Sequence, residues 1–210
     1  MARLSEIGGK TSPQESNGGG NMIFIRHGGT GLNGTAETDK IRGWKDIPLN
    51  DRGRQQAVEL GKKYAGKIDY IATSDLSRAH DTAKEIAKTN KKSPVEITAD
   101  LRPWDMGKFQ GQHSSEVQGQ LSHYVDNPEK PIPGGENFNS FKDRFLSKVQ
   151  ELKNDHPGEN VALVAHYRND RLLKAWDAKG NNDDYEIDKN VFLRKGPLEP
   201  GQGREMNYGK

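Results

Sequence analysis

Two apolar runs, Met22-Ile23-Phe24-Ile25 and Val161-Ala162-Leu163-Val164-Ala165, constrain this chain most, because each is released into a histidine. Arg26-His27-Gly28 follows the first and His166-Tyr167-Arg168 the second. Unbroken short apolar runs of this kind fit strands buried on both faces, as in a parallel sheet covered by helices. Strand ends of one polarity then lie along one sheet edge, where open α/β sheets bind ligands, so both histidines are expected at one place. Arg26 adds a planar fork matched to phosphate oxygens, and Gly28 lets backbone approach a ligand closely. Thr30 and Asn33 add a hydroxyl and an amide within a turn of chain. This is an anion site in outline.

The stretches between the runs read as the rest of such a fold. A helix is expected from Asp51 to Tyr64, with Ala57, Leu60, Gly61 and Tyr64 on an apolar face and Arg52, Arg54, Glu59 and Lys62 outward. Ile68 to Thr73 gives a second strand and completes a right-handed βαβ unit. Ala79, Ala83, Ile86 and Ala87 mark the next helix, with Arg78 in its first turn. A cation is poorly placed there unless an anion shares the site; the alternative is a surface arginine paired with Asp75 or Asp81. A third strand is expected over Val95 to Thr98, a weak helix over Gln112 to Val125, and a Pro/Gly-rich loop to Gly135. The helix from Phe138 to about Asn154 aligns Phe138, Phe141, Phe145, Val149 and Leu152 as ordinary core. Leu172, Leu173, Ala175 and Trp176 continue as a helix, and Val191 to Leu193 is expected to be a last short strand. Residues 1–20 read as a flexible tail ending in Gly18-Gly19-Gly20, and residues 195–210 as a C-terminal tail. The expected fold class is α/β, a three-layer sandwich with a mostly parallel central sheet, in one domain over residues 21–194.

Composition narrows the partners. The 32 Lys+Arg and 30 Asp+Glu are interspersed and the formal net charge is +2, so no basic block points to nucleic acid or a membrane surface. No cysteine is present, which removes disulfides and thiolate metal sites and suits the cytoplasm. The first residues lack the apolar segment of a signal peptide, and no run approaches the ~20 apolar residues of a membrane span. His80, His113 and His123 have no metal-ligand spacing and are expected at the surface; neither a metal nor a cofactor is called for. A nucleotide loop, Gly-x4-Gly-Lys-Ser/Thr, is absent, as is the esterase pattern Gly-x-Ser-x-Gly. The low hydrophobic fraction of 31% and mean hydropathy of −0.98 concentrate the apolar residues in the runs already named.

Three segments resemble the histidine phosphatase superfamily, the phosphoglycerate mutase-like group. They are Arg-His-Gly-x-Thr-x-x-Asn from Arg26, Gly-x-x-Asp-x-Pro-Leu from Gly43, and Ser-x-Leu-x-Arg-Ala-x-x-Thr-Ala from Ser74. The resemblance implies a metal-independent phosphomonoesterase acting on a small phosphorylated substrate through a phosphohistidine on His27. Arg26, Arg78, Asn33 and Thr30 would bind phosphate, and His166 would complete the pocket. The segment 112–135 would cover it. In the loop Leu101 to Gly111 the chain departs from the family: aligning the glycines puts Pro103 where a glutamate serves as general acid. Asp105 is the nearest carboxyl in that loop and the candidate acid, against the alternative of a turn-forming Asp. Gly134-Gly135-Glu136-Asn137 resembles the family's Gly-Glu-Ser rim, which makes Glu136 a candidate substrate contact. Tyr167-Arg168-Asn169 follows His166 where the family usually has His-Gly, and Arg168 is another such candidate, or a structural ion pair. A mutase-type phosphotransferase, or a degenerate phosphate-binding or structural module that lost the acid, are the competing readings. Nothing in the sequence speaks to oligomeric state.

Overall fold

A computed structural model describes residues 20–35, 38–194, 196 and 198–206. The expected N-terminal tail, 1–20, lies outside these residues except for Gly20. In chain order the elements are β1 (Met22–Arg26), α1 (Asp51–Lys63), β2 (Tyr70–Ser74), α2 (Ser77–Thr89), β3 (Val95–Thr98), α3 (Ser114–Asp126), α4 (Phe138–Asp155), β4 (Val161–Ala165), α5 (Tyr167–Asp177), α6 (Lys189–Leu193) and β5 (Gly203–Met206). The sheet order is β3-β2-β4-β1-β5; the first four strands are mutually parallel and β5 runs antiparallel to β1. The expected α/β class with helices on both sheet faces is the observed one.

Strand alternation sorts the core into two layers. Met22, Phe24, Ala72, Leu163 and Ala165 face the cluster built by α3, α4, α5 and α6, where Trp104, Phe138, Phe141 and Phe192 pack. Ile23, Ile25, Ile71, Ala162 and Val164 face α1 and α2 through Leu60, Tyr64, Ala79, Ala83 and Ile86. Both faces of β1 and β4 are therefore apolar, which is why these strands appear in the sequence as unbroken runs.

Two C-terminal expectations are corrected. Val191 to Leu193 is part of α6, not a strand: Asp188 caps it by accepting from the backbone N–H of Asn190 and Val191, and Phe192 faces the core. A three-residue apolar run does not distinguish strand from helix, and here the cap decides. The edge strand lies further on, at Gly203–Met206, inside the stretch read as a tail. It lacks an apolar run because an edge strand pairs through its backbone on one side and needs only Met206 to reach the core.

Register positions the site. Arg26 pairs with Ala165 in the β1–β4 ladder, so the next residue on each strand, His27 and His166, leaves the same sheet edge side by side. Behind His27, the start of α1 docks backbone to backbone. A Cβ on Gly28 would meet the Gly53 carbonyl oxygen at 2.4 Å, and one on Gly53 would meet that of Gly29 at 2.0 Å. Gly28 thus serves close approach to α1, not to a ligand as expected.

Candidate active site

The parallel-sheet edge opens into a cavity of about 1020 Å³ whose lining includes Arg26, His27, Asn33, Arg42, Arg78, His166 and Arg168. Each strand end delivers its residue for a local reason: β1 and β4 stop at His27 and His166, and the turn after β2 starts α2 just before Arg78.

The two histidine tautomers follow from their partners. His27 Nδ1 lies 2.7 Å from the Gly28 carbonyl oxygen, which can only accept, so Nδ1 carries the proton and Nε2 keeps its lone pair. His166 Nδ1 lies 3.3 Å from Arg78 Nε, which can only donate, so here Nδ1 accepts and Nε2 carries the proton. That Nε2–H is buried and has no partner among the described residues. The ring centroids are 5.1 Å apart. Burial, then the fields of Arg78, Arg26 and Arg42, holds His27 well below the ordinary histidine value. Burial, with Arg78, His27 and Arg42, does the same to His166. A lone pair and an N–H donor therefore face a cationic chamber with both rings neutral.

The arginines are locked by backbone. Arg78, 1% exposed, donates from Nη1 to the Lys45 carbonyl and from Nη2 to that of Gly43, both at 2.9 Å. The alternative surface pairing does not occur: Asp75 is held by Arg102 through two hydrogen bonds, and Asp81 by Lys84. Thr82 ties this helix to the first motif, accepting from Gly28 N–H and donating to the Arg78 carbonyl. Arg26 donates from Nη1 to the Leu198 carbonyl at 2.8 Å and lies over the Tyr167 ring. Burial and Arg42 pull the Arg26 guanidinium down to about 10 and that of Arg78 to about 9, so both remain cations at neutral pH.

The other expected site residues divide. Asn33 lines the cavity; its Oδ1 accepts from Thr30 N–H and from the Thr30 hydroxyl, leaving its amide NH₂ as donor. Thr30 is fully buried, does not line the cavity, and orients Asn33. Arg168 lines the cavity and forms no ion pair among the described residues. Asp105 and Glu136 are not on the wall. Asp105 Oδ1 accepts from Gly107 N–H and Gln110 Nε2, and Glu136 accepts from Asp105 N–H and from Arg144, which also holds the carbonyls of Arg102 and Pro103. Pro103 itself does line the cavity, and Asn137 caps α4. His113 and His80 are half-buried and His123 is exposed. No group of side chains able to hold a metal ion occurs among the described residues.

Sequence reasoning missed Arg42 and the C-terminal stretch. Arg42 sits one residue before the recognised Gly43 loop, fixed to the Leu32 carbonyl and to Asp39, and its field reaches Arg26, His27, Arg78, His166 and Arg168. The signal available was a cation abutting a motif loop. Glu199 to Gln202 line the cavity, and Gly201 N–H bonds to the carbonyls of Arg26 and His27; no local pattern announces this.

A mostly parallel sheet with paired histidines on its two adjacent central strands, flanked by arginines from β1 and α2, is the layout of the histidine phosphatases. A family model, histidine phosphatase superfamily (branch 1), matches residues 22–181, and the chain belongs to that superfamily. Among curated relatives, phosphoglycerate mutase-like protein 4 of Arabidopsis thaliana is 35% identical over 69% of this chain and 65% of its own length. The metal-independent phosphoserine phosphatase of the same plant is 31% identical over 69% of this chain and 63% of its own. The matches thus span a little under two thirds of these relatives. Solved structures of a mycobacterial glucosyl-3-phosphoglycerate phosphatase (TM-score 0.70, 22% identity, 89% of both chains) and of the α-ribazole phosphatase from Shigella flexneri (TM-score 0.69, 22% identity, 90% and 91% of the chains) share the fold.

Proposed function

We propose that the protein is a metal-independent phosphomonoesterase working through a phosphohistidine on His27 Nε2. The observation that carries this is the pair of opposed tautomers: a lone pair on His27 Nε2 and an unpartnered N–H on His166, on rings 5.1 Å apart in a cavity that Arg26 and Arg78 also line. In the first step Nε2 attacks phosphorus, an N–P bond forms and the P–O bond to the leaving group breaks. The transferred phosphoryl's oxygens accept from His166 Nε2–H and sit in the field of the arginines, which is positioning plus electrostatic stabilisation. Water then attacks phosphorus, the N–P bond breaks, and inorganic phosphate leaves with His27 neutral again. The relative that acts as a phosphoserine phosphatase without metal supports hydrolysis over transfer.

The leaving oxygen needs a proton, and Asp105, the expected donor, turns toward Gly107 and Gln110. The reading therefore favours esters whose leaving group departs as a weak base. Asp105→Asn is expected to change hydrolysis of a nitrophenyl phosphate and of an alkyl phosphate by the same small factor. A selective loss of about 10²–10⁴-fold on the alkyl ester would restore Asp105 as general acid. The central test is His27→Ala on a nitrophenyl phosphate with a chelator present. Turnover by the wild type, none by the variant, and an acid-labile phosphoenzyme in the wild type alone are expected. Retained turnover in the variant overturns the covalent mechanism.

A further inference from the structure

A second cavity, of about 440 Å³, opens at the opposite edge of the sheet from His27. Asn21 and Asn160, the residues just before β1 and β4, lie on its wall with Glu205 of β5 and with Lys63, Tyr64 and Lys67 from the end of α1 and the turn after it. At ~3.3 Å per residue, about 20 Å of β1 separates Asn21 from His27 and so one cavity from the other. Two lysines near a helix C-terminus are on their own a solvated helix end that suits the dipole. Tyr64 sets this place apart. It is only 4% exposed, it lines the cavity, and its hydroxyl has no hydrogen-bond partner among the described residues. Gly203 of β5 makes room for that hydroxyl, since a Cβ there would meet it at 2.5 Å. A phenol hydroxyl on so buried a residue ordinarily has a partner, and here the cavity is the side from which one can come.

The charges on the wall select the ligand. Lys63 holds its ammonium 5.0 Å from the centre of the Tyr64 ring, and neither Lys63 nor Lys67 is ion-paired among the described residues. Lys67 comes two residues before Asp69, whose N–H bonds to the Asn160 carbonyl at 2.9 Å, so it stands on the β4 side of the cavity. Asn160 accepts from Asn21 N–H through Oδ1, which leaves its NH₂ as a further donor. Glu205, two residues beyond Gly203, lies on the same face of β5 as the Tyr64 hydroxyl and likewise has no ion pair among the described residues. Two ammoniums, a phenol hydroxyl and an amide suit a carboxylate, and one unpaired carboxylate suits an ammonium. We infer that this cavity is a binding site for a small zwitterion, an amino acid whose carboxylate meets the lysines and the Tyr64 hydroxyl and whose ammonium meets Glu205. The inference uses no group of the cavity around His27 and does not rest on the phosphatase reading.

Amide NMR of the full chain tests it, with inorganic phosphate present throughout to occupy the cavity at His27. Glycine and γ-aminobutyrate are the probes, differing in the separation of their charges; butyrate and butylamine, with one charge each, are the controls. Saturable shifts at the amides of Asn21, Tyr64, Lys67 and Gly203, and not at those of His27 and Gly28, are expected with at least one amino acid. That amino acid should bind about threefold more tightly than either control, the size of effect an exposed charge pair gives. Tyr64→Phe removes one oxygen and should weaken binding about tenfold, because a buried donor to a charged acceptor is lost. Lys67→Met should weaken it about threefold, and Glu205→Gln should bring the amino acid down to the level of butyrate. Absence of saturable shifts at these amides overturns the site, as does unchanged affinity in Tyr64→Phe and Lys67→Met proteins with native spectra. Butyrate bound as tightly as both amino acids overturns the zwitterion.

Discussion

His27 and His166 are neutral because burial and neighbouring arginines penalise their protonated forms, and this has two measurable consequences. Activity that depends on a neutral His27 should show no acidic limb near the ordinary histidine value of about 6.5. A kcat/KM profile for nitrophenyl phosphate is expected to stay level from pH 7 down past that value; a fall centred on it would mean the nucleophile titrates normally. The second consequence is stability. With the folded values lowered, the unfolded chain binds more protons, so stability is complete above about pH 6.5 and is lost as pH falls below it. Each histidine contributes up to about 1.4 kcal/mol per pH unit. Urea unfolding at pH 7 and pH 5 should show the decline, and His166→Gln should flatten it. At the same scale the field of Arg42 reaches Arg26, Arg78, Arg168 and both histidines. Arg42→Met should weaken vanadate binding about tenfold, read by calorimetry, since a cation facing a partly desolvated anion is removed. Unchanged affinity would confine Arg42 to holding Leu32 and Asp39.

Among the elements, the junction of the first motif with α1 is the least tolerant. Gly53 meets the Gly29 backbone where a side chain has no room, and the obstacle is main chain that cannot swing away. Gly53→Ala should therefore destabilise by about 1–3 kcal/mol despite its better helix propensity, whereas Gly119→Ala, in α3 with open space around it, should stabilise slightly. Chemical denaturation of both variants checks the contrast, and equal effects would mean α1 docks less tightly than drawn. The loop from Leu101 to Gly107 is fixed from behind by Arg144 and Glu136, so Glu136 is a structural partner of the wall and not a part of it. In the same loop Pro103 lines the cavity and Asp105 does not.

For the whole molecule, the C-terminal stretch closes what the sheet begins. β5 covers the β1 edge, and the chain before it supplies the Leu198 carbonyl to Arg26 and the Gly201 N–H to the β1 end. Truncation after Arg194 should lower both the melting temperature and kcat/KM for nitrophenyl phosphate by at least tenfold, as Arg26 loses its anchor and β1 becomes an open edge. Full activity in the truncated protein would make the stretch dispensable. Much of this was legible beforehand. Apolar runs, helical periodicity and the strand-end histidines are local patterns, and parallel pairing turns them into one site whatever the loops do. The class, the layers and the meeting of His27 with His166 and Arg78 follow from that. What only the tertiary structure decided depends on atoms far apart in the chain: the His166 tautomer set by Arg78, the carbonyls of Gly43 and Lys45 that lock Arg78, and a partner for Arg26 contributed by Leu198. Such choices are made by which donors and acceptors burial leaves without water, and no stretch of sequence contains both members of those pairs.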